Sequence, residues 1–170
     1  MRDRLYRIAT GVPYWMALVL LALSMEGVAL FYQYRLGYEP CVMCIQVRVW
    51  LLGLVLAGVV GLLARHQRGV QVLAQCLLVV VGAGMLERSL KLLGTERGTY
   101  EGSCGMESGL PAWFALDKWF PSVFQVQEPC GYTPELLFGI TMAEALVVLS
   151  GLLLVLGVVM AAVSLTGRSR

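Results

Sequence analysis

Four long apolar stretches alternate with shorter polar ones along the chain. The first covers residues 14–32, with Glu26 as its single charge, and the second covers residues 45–64, with Arg48 as its only charge. A third runs over about residues 70–90 and a fourth over about residues 138–165. An apolar run of about 20 residues has the length of a helix that crosses the hydrocarbon core of a bilayer. The pattern predicts an all-α membrane protein, a four-transmembrane-helix antiparallel bundle.

Composition supports a chain that meets lipid. Hydrophobic residues make up 58% of the 170 residues and charged residues only 14%. A soluble domain of this size lacks the polar surface to cover so much apolar side chain. We expect residues 1–170 to form a single integral membrane domain whose first run is a retained span, because that run is too long for a signal-peptide core. The net charge of +2, spread over helix ends, does not indicate a nucleic-acid partner.

Two loops are predicted at one end of the bundle, over residues 33–44 and 93–135. The second is rich in Gly and Pro, which are typical of loops. Within it, the stretch from Pro111 to Pro121 contains four aromatic residues beside Asp117 and Lys118. Such amphipathic aromatic segments favour the headgroup layer, so we predict a short interfacial helix there. The alternative is a loop that holds a small apolar plug. The four aromatic residues are Trp113, Phe114, Trp119 and Phe120.

Charge is distributed unequally between the two ends of the predicted bundle. Seven of the 13 cations lie in the N-terminal arm, the turn between the second and third spans, and the C-terminal tail: Arg2, Arg4, Arg7, Arg65, Arg68, Arg168 and Arg170. Six acids lie at or within the long loop: Glu96, Glu101, Glu107, Asp117, Glu128 and Glu135. Cytoplasmic segments carry an excess of Lys and Arg. Both termini are therefore predicted to be cytoplasmic and both loops to lie on the opposite side.

Four of the five cysteines lie in or at the edge of these loops. In an oxidising compartment, Cys41 with Cys44 and Cys104 with Cys130 are the natural disulfide partition, whereas Cys76, within the third span, is interpreted as a small packing residue. A bridge between Cys104 and Cys130 would contribute roughly 3–4 kcal/mol by constraining the unfolded chain. A structural staple and a functional pair both remain open for these two residues.

The Cys41-x-x-Cys44 pair points more strongly to chemistry. A bridge over two residues removes little entropy from the unfolded chain, so it adds little stability. At the start of a helix, unpaired N–H groups and the helix dipole stabilise a thiolate, which is the reactive form of cysteine. A structural zinc site would need two further ligands, and the only histidine, His66, is predicted to lie across the membrane. No metal site is therefore predicted.

The first two apolar runs each contain one charge, Glu26 and Arg48. Arg48 follows Cys44 by four residues, which places it one turn deeper on the same helix face. It either extends its guanidinium to the interface or stabilises an anion within the membrane. An oil-soluble oxidant that becomes anionic on reduction, such as a quinone, fits the second role. Glu26 is either paired inside the bundle or protonated, and the sequence leaves both open.

These residues together resemble the bacterial disulfide bond formation protein B (DsbB) family. The shared features are the segment Pro40–Ile45 followed by Arg48, and the loop cysteines that flank the segment Leu116–Pro121. Glu26 and the segment Phe138–Met142 are also similar to that family. The similarity covers the chain from the first predicted span to the fourth.

The resemblance implies an enzyme of the bacterial inner membrane, with its redox cysteines in the periplasm. Such an enzyme reoxidises DsbA, the periplasmic dithiol oxidase, and passes electrons to ubiquinone or menaquinone. By position, Cys104 would form the mixed disulfide with DsbA, and Cys130 would be its loop partner. Cys41 would accept attack from Cys130, while Cys44 would face the quinone with Arg48. Met142 would also contact the quinone.

The sequence departs from the family pattern at one place. Many members carry a histidine near the end of the third helix, where this chain has the segment Glu87–Lys91. Arg88 and Lys91 are candidates to replace it at the quinone. Two alternatives remain for function: a client-specific relative similar to DsbI or to vitamin K epoxide reductase, and a non-catalytic four-span protein whose disulfides are structural.

Overall fold

A computed structural model describes residues 2–63, 67–100, 105–131, 133–137 and 139–166. The helices are α1 (Arg2–Ala9), α2 (Val12–Leu36), α3 (Val42–Leu63), α4 (Arg68–Glu96), α5 (Leu116–Trp119), α6 (Pro121–Phe124) and α7 (Met142–Thr166), with a 3₁₀ turn at Ala112–Phe114. A hairpin of β1 (Glu135–Leu137) and β2 (Ile140–Thr141) precedes α7. In the described part of the chain, α2, α3, α4 and α7 are each long and apolar enough to cross a membrane. The predicted four-helix membrane fold is confirmed.

The connection between α2 and α3 is shorter than the predicted loop over residues 33–44. Gly37 ends α2 because it adopts φ 74° and directs its N–H back to the Tyr32 carbonyl. Pro40 lacks an N–H, and α3 begins at Val42, two residues later. Only residues 37–41 separate the two helices. We call this end of the bundle, where α2 and α4 end and α3 and α7 begin, the cysteine end.

The third span and the long loop also have different limits from those predicted. The apolar run predicted a span over about residues 70–90 and a loop from residue 93, but α4 continues to Glu96. Ser89 and Leu92 are buried against neighbouring segments, so a packed face persists although the average hydropathy falls. Cys76, expected to pack within the bundle, is exposed on the outer face of α4, and that expectation is wrong.

The fourth span starts later than predicted. Residues 138–141 were expected to be helical, yet Ile140 and Thr141 form a strand paired with β1, and Phe138 lies outside the described residues. Thr141 caps α7 from this strand: the Glu144 N–H donates to Thr141 Oγ1 (3.3 Å), and the Thr141 N–H donates to Glu144 Oε2 (3.3 Å). This reciprocal pair is a capping box, whose Thr-x-x-Glu signature is present in the sequence.

The single interfacial helix predicted over residues 111–121 is replaced by shorter pieces. The 3₁₀ turn, α5 and α6 follow one another, because Phe120, which precedes Pro121, leaves the helical conformation (φ −132°, ψ 65°). Trp113 is 78% exposed, whereas Leu116 and Phe124 are buried at the cysteine end. The alternative of an apolar plug therefore describes part of this segment.

Glycine allows close contact between spanning helices α4 and α7. Helix α4 packs against α7 and α3, and α2 packs against α3. A Cβ atom at Gly82 of α4 would lie 2.9 Å from the Cα of Leu154 in α7, a distance that real Cβ atoms do not reach. The central core lies between these helices and includes Leu54, Leu78 and Leu153.

At the end opposite the cysteines, two buried amides of α4 join three other segments. Gln71 accepts a hydrogen bond from Trp15 Nε1 (3.1 Å) and donates to the Gly61 carbonyl (2.6 Å). Gln75 accepts from the Tyr14 hydroxyl (3.1 Å) and donates to the Ala9 carbonyl (3.1 Å) at the end of α1. Fully satisfied amides of this kind fix the relative position of the helices. Helix α1 itself, which the hydropathy pattern did not predict, is held by this contact.

Candidate redox site

Cys41 and Cys44 lie at the first turn of α3. The Ile45 N–H donates to the Cys41 carbonyl (3.0 Å), which makes Cys41 the residue that caps the helix. The Cys44 N–H donates to the Cys41 sulfur (3.4 Å), as the third helical amide does to a serine or aspartate cap. The two Sγ atoms lie 2.7 Å apart. This turn therefore holds both sulfurs within reach of disulfide formation.

Cys130 approaches Cys41 from the long loop. The Gln127 N–H donates to the Pro40 carbonyl (3.0 Å), and Glu128 forms an isolated parallel bridge with Cys41. Two residues later, Cys130 packs against the buried cluster that contains Cys41. The structure thus brings three of the four predicted redox cysteines together. The fourth, Cys104, lies outside the described residues.

The environment of Cys41 favours its protonated form. The Cys130 side chain lowers the pKa of the Cys41 thiol. The hydrogen bond with Cys44 and burial outweigh this effect and raise the pKa to about 12. Burial penalises the thiolate because a charged sulfur loses hydration there. At neutral pH, the reduced pair therefore keeps a proton on Cys41, and that thiol can donate a hydrogen bond to the Cys44 sulfur.

Arg48 is buried and directs its guanidinium toward α2 and the long loop. Only 4% of the residue is exposed. Its Nη1 donates to Gln33 Oε1 (2.8 Å) and to the Val123 carbonyl (2.6 Å), and its Nη2 donates to the Ala29 carbonyl (3.4 Å). These acceptors replace water around the charge, as a buried guanidinium requires. The guanidinium is therefore enclosed by protein at the loop end of α2, next to the long loop.

Glu26 supplies the opposite charge. Its Oε1 lies 3.8 Å from Arg48 Nε, and its side chain is 19% exposed. Neither carboxylate oxygen has a hydrogen-bond partner within the described part of the chain. The charges of Glu26 and Arg48 therefore face each other across α2 and α3, and pairing inside the bundle is the alternative that the geometry favours.

A cavity of about 390 Å³ opens between α2, α3 and α7 at the cysteine end. Cys44 and Arg48 both line it, and most of its remaining wall consists of apolar side chains such as Val28 and Leu146. Met142, at the start of α7, also lines this cavity. An apolar cavity with a few polar groups is typical of a site for a small, oil-soluble molecule.

Arg88 and Lys91 do not reach this cavity. Both form ion pairs with Glu87 on the same helix, Arg88 at 3.0 Å, and Lys91 also lies over the Tyr100 ring. The local acid therefore binds the two cations that were candidates to replace the family histidine. Of the predicted quinone contacts, the structure places Arg48 and Met142 at the cavity.

Gln33 was not recognised from the sequence as part of this site. It lies in the last turn of α2, seven residues after Glu26, so Glu26, Ala29 and Gln33 share one helix face. All three contact Arg48. That spacing, next to a lone arginine in the following span, was the available signal. No sequence signal indicated the Val123 carbonyl, because a backbone acceptor in a loop does not affect the pattern of side chains.

The fold and this site define a class: a multi-pass membrane protein that carries a Cys-x-x-Cys turn beside a buried arginine. The family model described as "Disulfide bond formation protein DsbB" matches residues 12–160. The chain therefore belongs to the DsbB family, and the resemblance drawn from its cysteine pattern is confirmed.

Curated relatives agree with this assignment. The chain is 36% identical over 145 residues to Disulfide bond formation protein B of Shewanella loihica, which covers 85% of each protein. It is 36% identical over 132 residues to Disulfide bond formation protein B 2 of Pseudomonas aeruginosa, covering 76% of this chain and 78% of the relative. A Shewanella sp. (strain W3-18-1) protein of the same name is 29% identical over 167 residues, covering 98% of this chain and 95% of the relative.

Proposed function

We propose that this membrane protein is a thiol:quinone oxidoreductase. It reoxidises a DsbA-like periplasmic dithiol oxidase by disulfide exchange and passes the electrons to ubiquinone or menaquinone. The single domain is proposed to lie in the bacterial inner membrane, with both termini in the cytoplasm and Cys41, Cys44, Cys104 and Cys130 on the periplasmic side. The observation that carries the proposal is the shared cavity of Cys44 and Arg48.

The cavity suits a quinone headgroup. Its volume of about 390 Å³ lies within the usual range for sites of small organic molecules. Its wall is largely apolar, and Arg48 contributes a fixed positive charge next to the Cys44 sulfur. A quinone bound there would accept the electrons and protons that dithiol oxidation releases. Arg48 would stabilise negative charge on its oxygen, and Met142 would contact the ring.

Disulfide exchange supplies the steps before the cavity. A thiolate of the DsbA-like partner attacks Cys104, which breaks the Cys104–Cys130 disulfide and leaves Cys130 as the thiolate. Cys130 then attacks Cys41, which breaks the Cys41–Cys44 bond and leaves the electron pair on Cys44. The packing of Cys130 against the cluster that contains Cys41 supports the second step, since attack requires these two sulfurs to meet. The role of Cys104 follows from the family resemblance.

Two serine variants test the assignment. Cys44→Ser is expected to abolish quinol formation, because the residue that faces the cavity can no longer donate electrons. Cys104→Ser is expected to block transfer from the DsbA-like protein while binding of a short-chain quinone is unchanged. Quinol is measured by its ultraviolet absorption after addition of reduced partner.

Cys76→Ser is the matched control, because Cys76 is exposed on the outer face of α4 and is expected to retain normal turnover. Normal quinol formation by the Cys44 variant would exclude the proposed mechanism. It would favour a membrane protein whose disulfides are only structural.

A further inference from the structure

The guanidinium of Arg48 is held by residues outside its own helix. Its Nη1 has two acceptors, Gln33 Oε1 at 2.8 Å and the Val123 carbonyl at 2.6 Å. Val123 belongs to α6, in the long loop that carries Cys130 seven residues later. The charge that lines the cavity is therefore fixed partly by α2 and partly by the loop.

Gln33 connects the same two segments. Its Oε1 accepts from Arg48, while its Nε2 donates to the Ser122 carbonyl (3.3 Å). The amide serves both contacts at once, because its oxygen accepts from the guanidinium and its nitrogen donates to the carbonyl. The two loop carbonyls that hold Arg48 and Gln33 belong to consecutive residues. Gln33 thus closes a small ring of hydrogen bonds through Arg48, Val123 and Ser122.

We propose that Gln33 is a positioning residue for the quinone end of the reaction: it fixes the Arg48 guanidinium toward the cavity and ties that orientation to docking of the α6 segment. This inference rests on the proposed quinone site. The two acceptors restrict the Arg48 side chain before a ligand binds. The side chain therefore loses little rotamer freedom on binding. Gln33 itself does not line the cavity, so it acts through Arg48.

A consequence is that the loop and the cavity are coupled. When α6 is docked, the Val123 carbonyl and Gln33 hold Arg48 in one orientation. A ligand that prefers this orientation must also stabilise the docked loop, because coupling between two sites is reciprocal. Loop movement during exchange at Cys130 would therefore change the affinity of the cavity.

Tyr34 provides a matched control for the experiment. Its hydroxyl donates to the same Ser122 carbonyl that Gln33 contacts, but it has no hydrogen bond to Arg48 among those described. Tyr34→Phe therefore removes a loop contact and leaves the arginine in place. Gln33→Leu removes both the loop contact and the acceptor for Arg48. Gln33→Glu keeps the shape and the acceptor but loses the donor to Ser122.

The experiment measures two quantities for the purified full chain and the three variants. The first is the dissociation constant for ubiquinone-1, measured by equilibrium binding without turnover. The second is the rate of tryptic cleavage after Lys118, an exposed residue of α5 next to the docked segment. Near-native helix content by circular dichroism is required of each variant. Binding by the unmodified chain is measured first, since its absence would refute the proposed quinone site and not the role of Gln33.

The expected results separate positioning from simple loop anchoring. Gln33→Leu should weaken ubiquinone-1 binding about tenfold, the size of one hydrogen bond to a charged group. Gln33→Glu should bind within about threefold of the unmodified chain, because Arg48 retains its acceptor. Tyr34→Phe and Gln33→Leu should both accelerate cleavage, but Gln33→Leu should weaken binding clearly more, because it also removes the side-chain acceptor of Arg48. Equal binding by Gln33→Leu and the unmodified chain, or equal weakening by Gln33→Leu and Tyr34→Phe, would overturn the inference.

Discussion

Cys41 and Cys44 occupy different environments although they are three residues apart. Cys41 is 3% exposed and contacts Cys130, whereas Cys44 lines the cavity with Arg48. The difference follows from position in the helix, because the capping residue faces the preceding loop and the third helical residue lies within the first turn. One pair of neighbouring residues can thereby contact a protein thiol on one side and a membrane-soluble molecule on the other.

Protonation distinguishes Cys41 in a measurable way. Its pKa of about 12 exceeds the usual cysteine value of about 8.5, so the reduced thiol should keep its proton up to a pH of about 11. A raised pKa stabilises the folded, protonated form at pH values below the ordinary one, and this contribution is lost as the pH rises through about 12. The rate of alkylation of Cys41 by iodoacetamide in the reduced protein should therefore rise about tenfold per pH unit from pH 7 to pH 10 without levelling off. Mass spectrometry of the Cys41 peptide gives the rate.

The same chain unfolded in denaturant is the reference for this measurement. There, alkylation of Cys41 should titrate near the ordinary value of about 8.5. A midpoint between 8 and 9 in the folded protein as well would contradict the protonated state of Cys41.

At the scale of elements, hydropathy predicted the four spanning helices but not where they end. The ends depend on local signals that averaging over a window hides: Gly37 with positive φ, and the capping box of Thr141 and Glu144. The Cys41, Cys44 and Arg48 cluster was predictable because all three residues share one helical start. The contacts of Arg48 with Gln33 and Val123 were not, since they join segments that only tertiary packing brings together.

Close packing of α4 on α7 can be tested with two matched glycine substitutions. Gly82→Ala should destabilise the protein by about 1–3 kcal/mol, because the added methyl group meets the backbone at Leu154. Gly151→Ala, in α7, should be neutral or stabilising by up to about 1 kcal/mol, since open space surrounds that position and alanine is the better helix former. Unfolding in detergent, followed by circular dichroism, measures both. Equal stability of the two variants would show that α4 and α7 are not in close contact at Gly82.

At the scale of the whole molecule, the two ends of the bundle are held by different chemistry. At the cysteine end, Glu96 of α4 accepts hydrogen bonds from Thr133 Oγ1 (2.5 Å) and Thr141 Oγ1 (3.2 Å). Arg97 also forms an ion pair with Glu144 (2.7 Å). At the opposite end, neutral amides of α4 join the helices. Charged and hydroxyl groups therefore hold the hairpin at the cysteine end, whereas amides hold the helices together at the opposite end.

The proposed orientation rests on the excess of Lys and Arg at the end opposite the cysteines, and it can be measured in intact cells. In a chain whose native cysteines are replaced by serine, Lys118→Cys places one thiol on the exposed loop and Gln67→Cys places one before α4. A membrane-impermeant maleimide applied to cells with a permeabilised outer membrane should label the Lys118 variant. It should label the Gln67 variant only after the inner membrane is also disrupted. Labelling of the Gln67 variant in intact cells would place the redox cysteines in the cytoplasm. There, reducing conditions would oppose their reoxidation of a periplasmic partner.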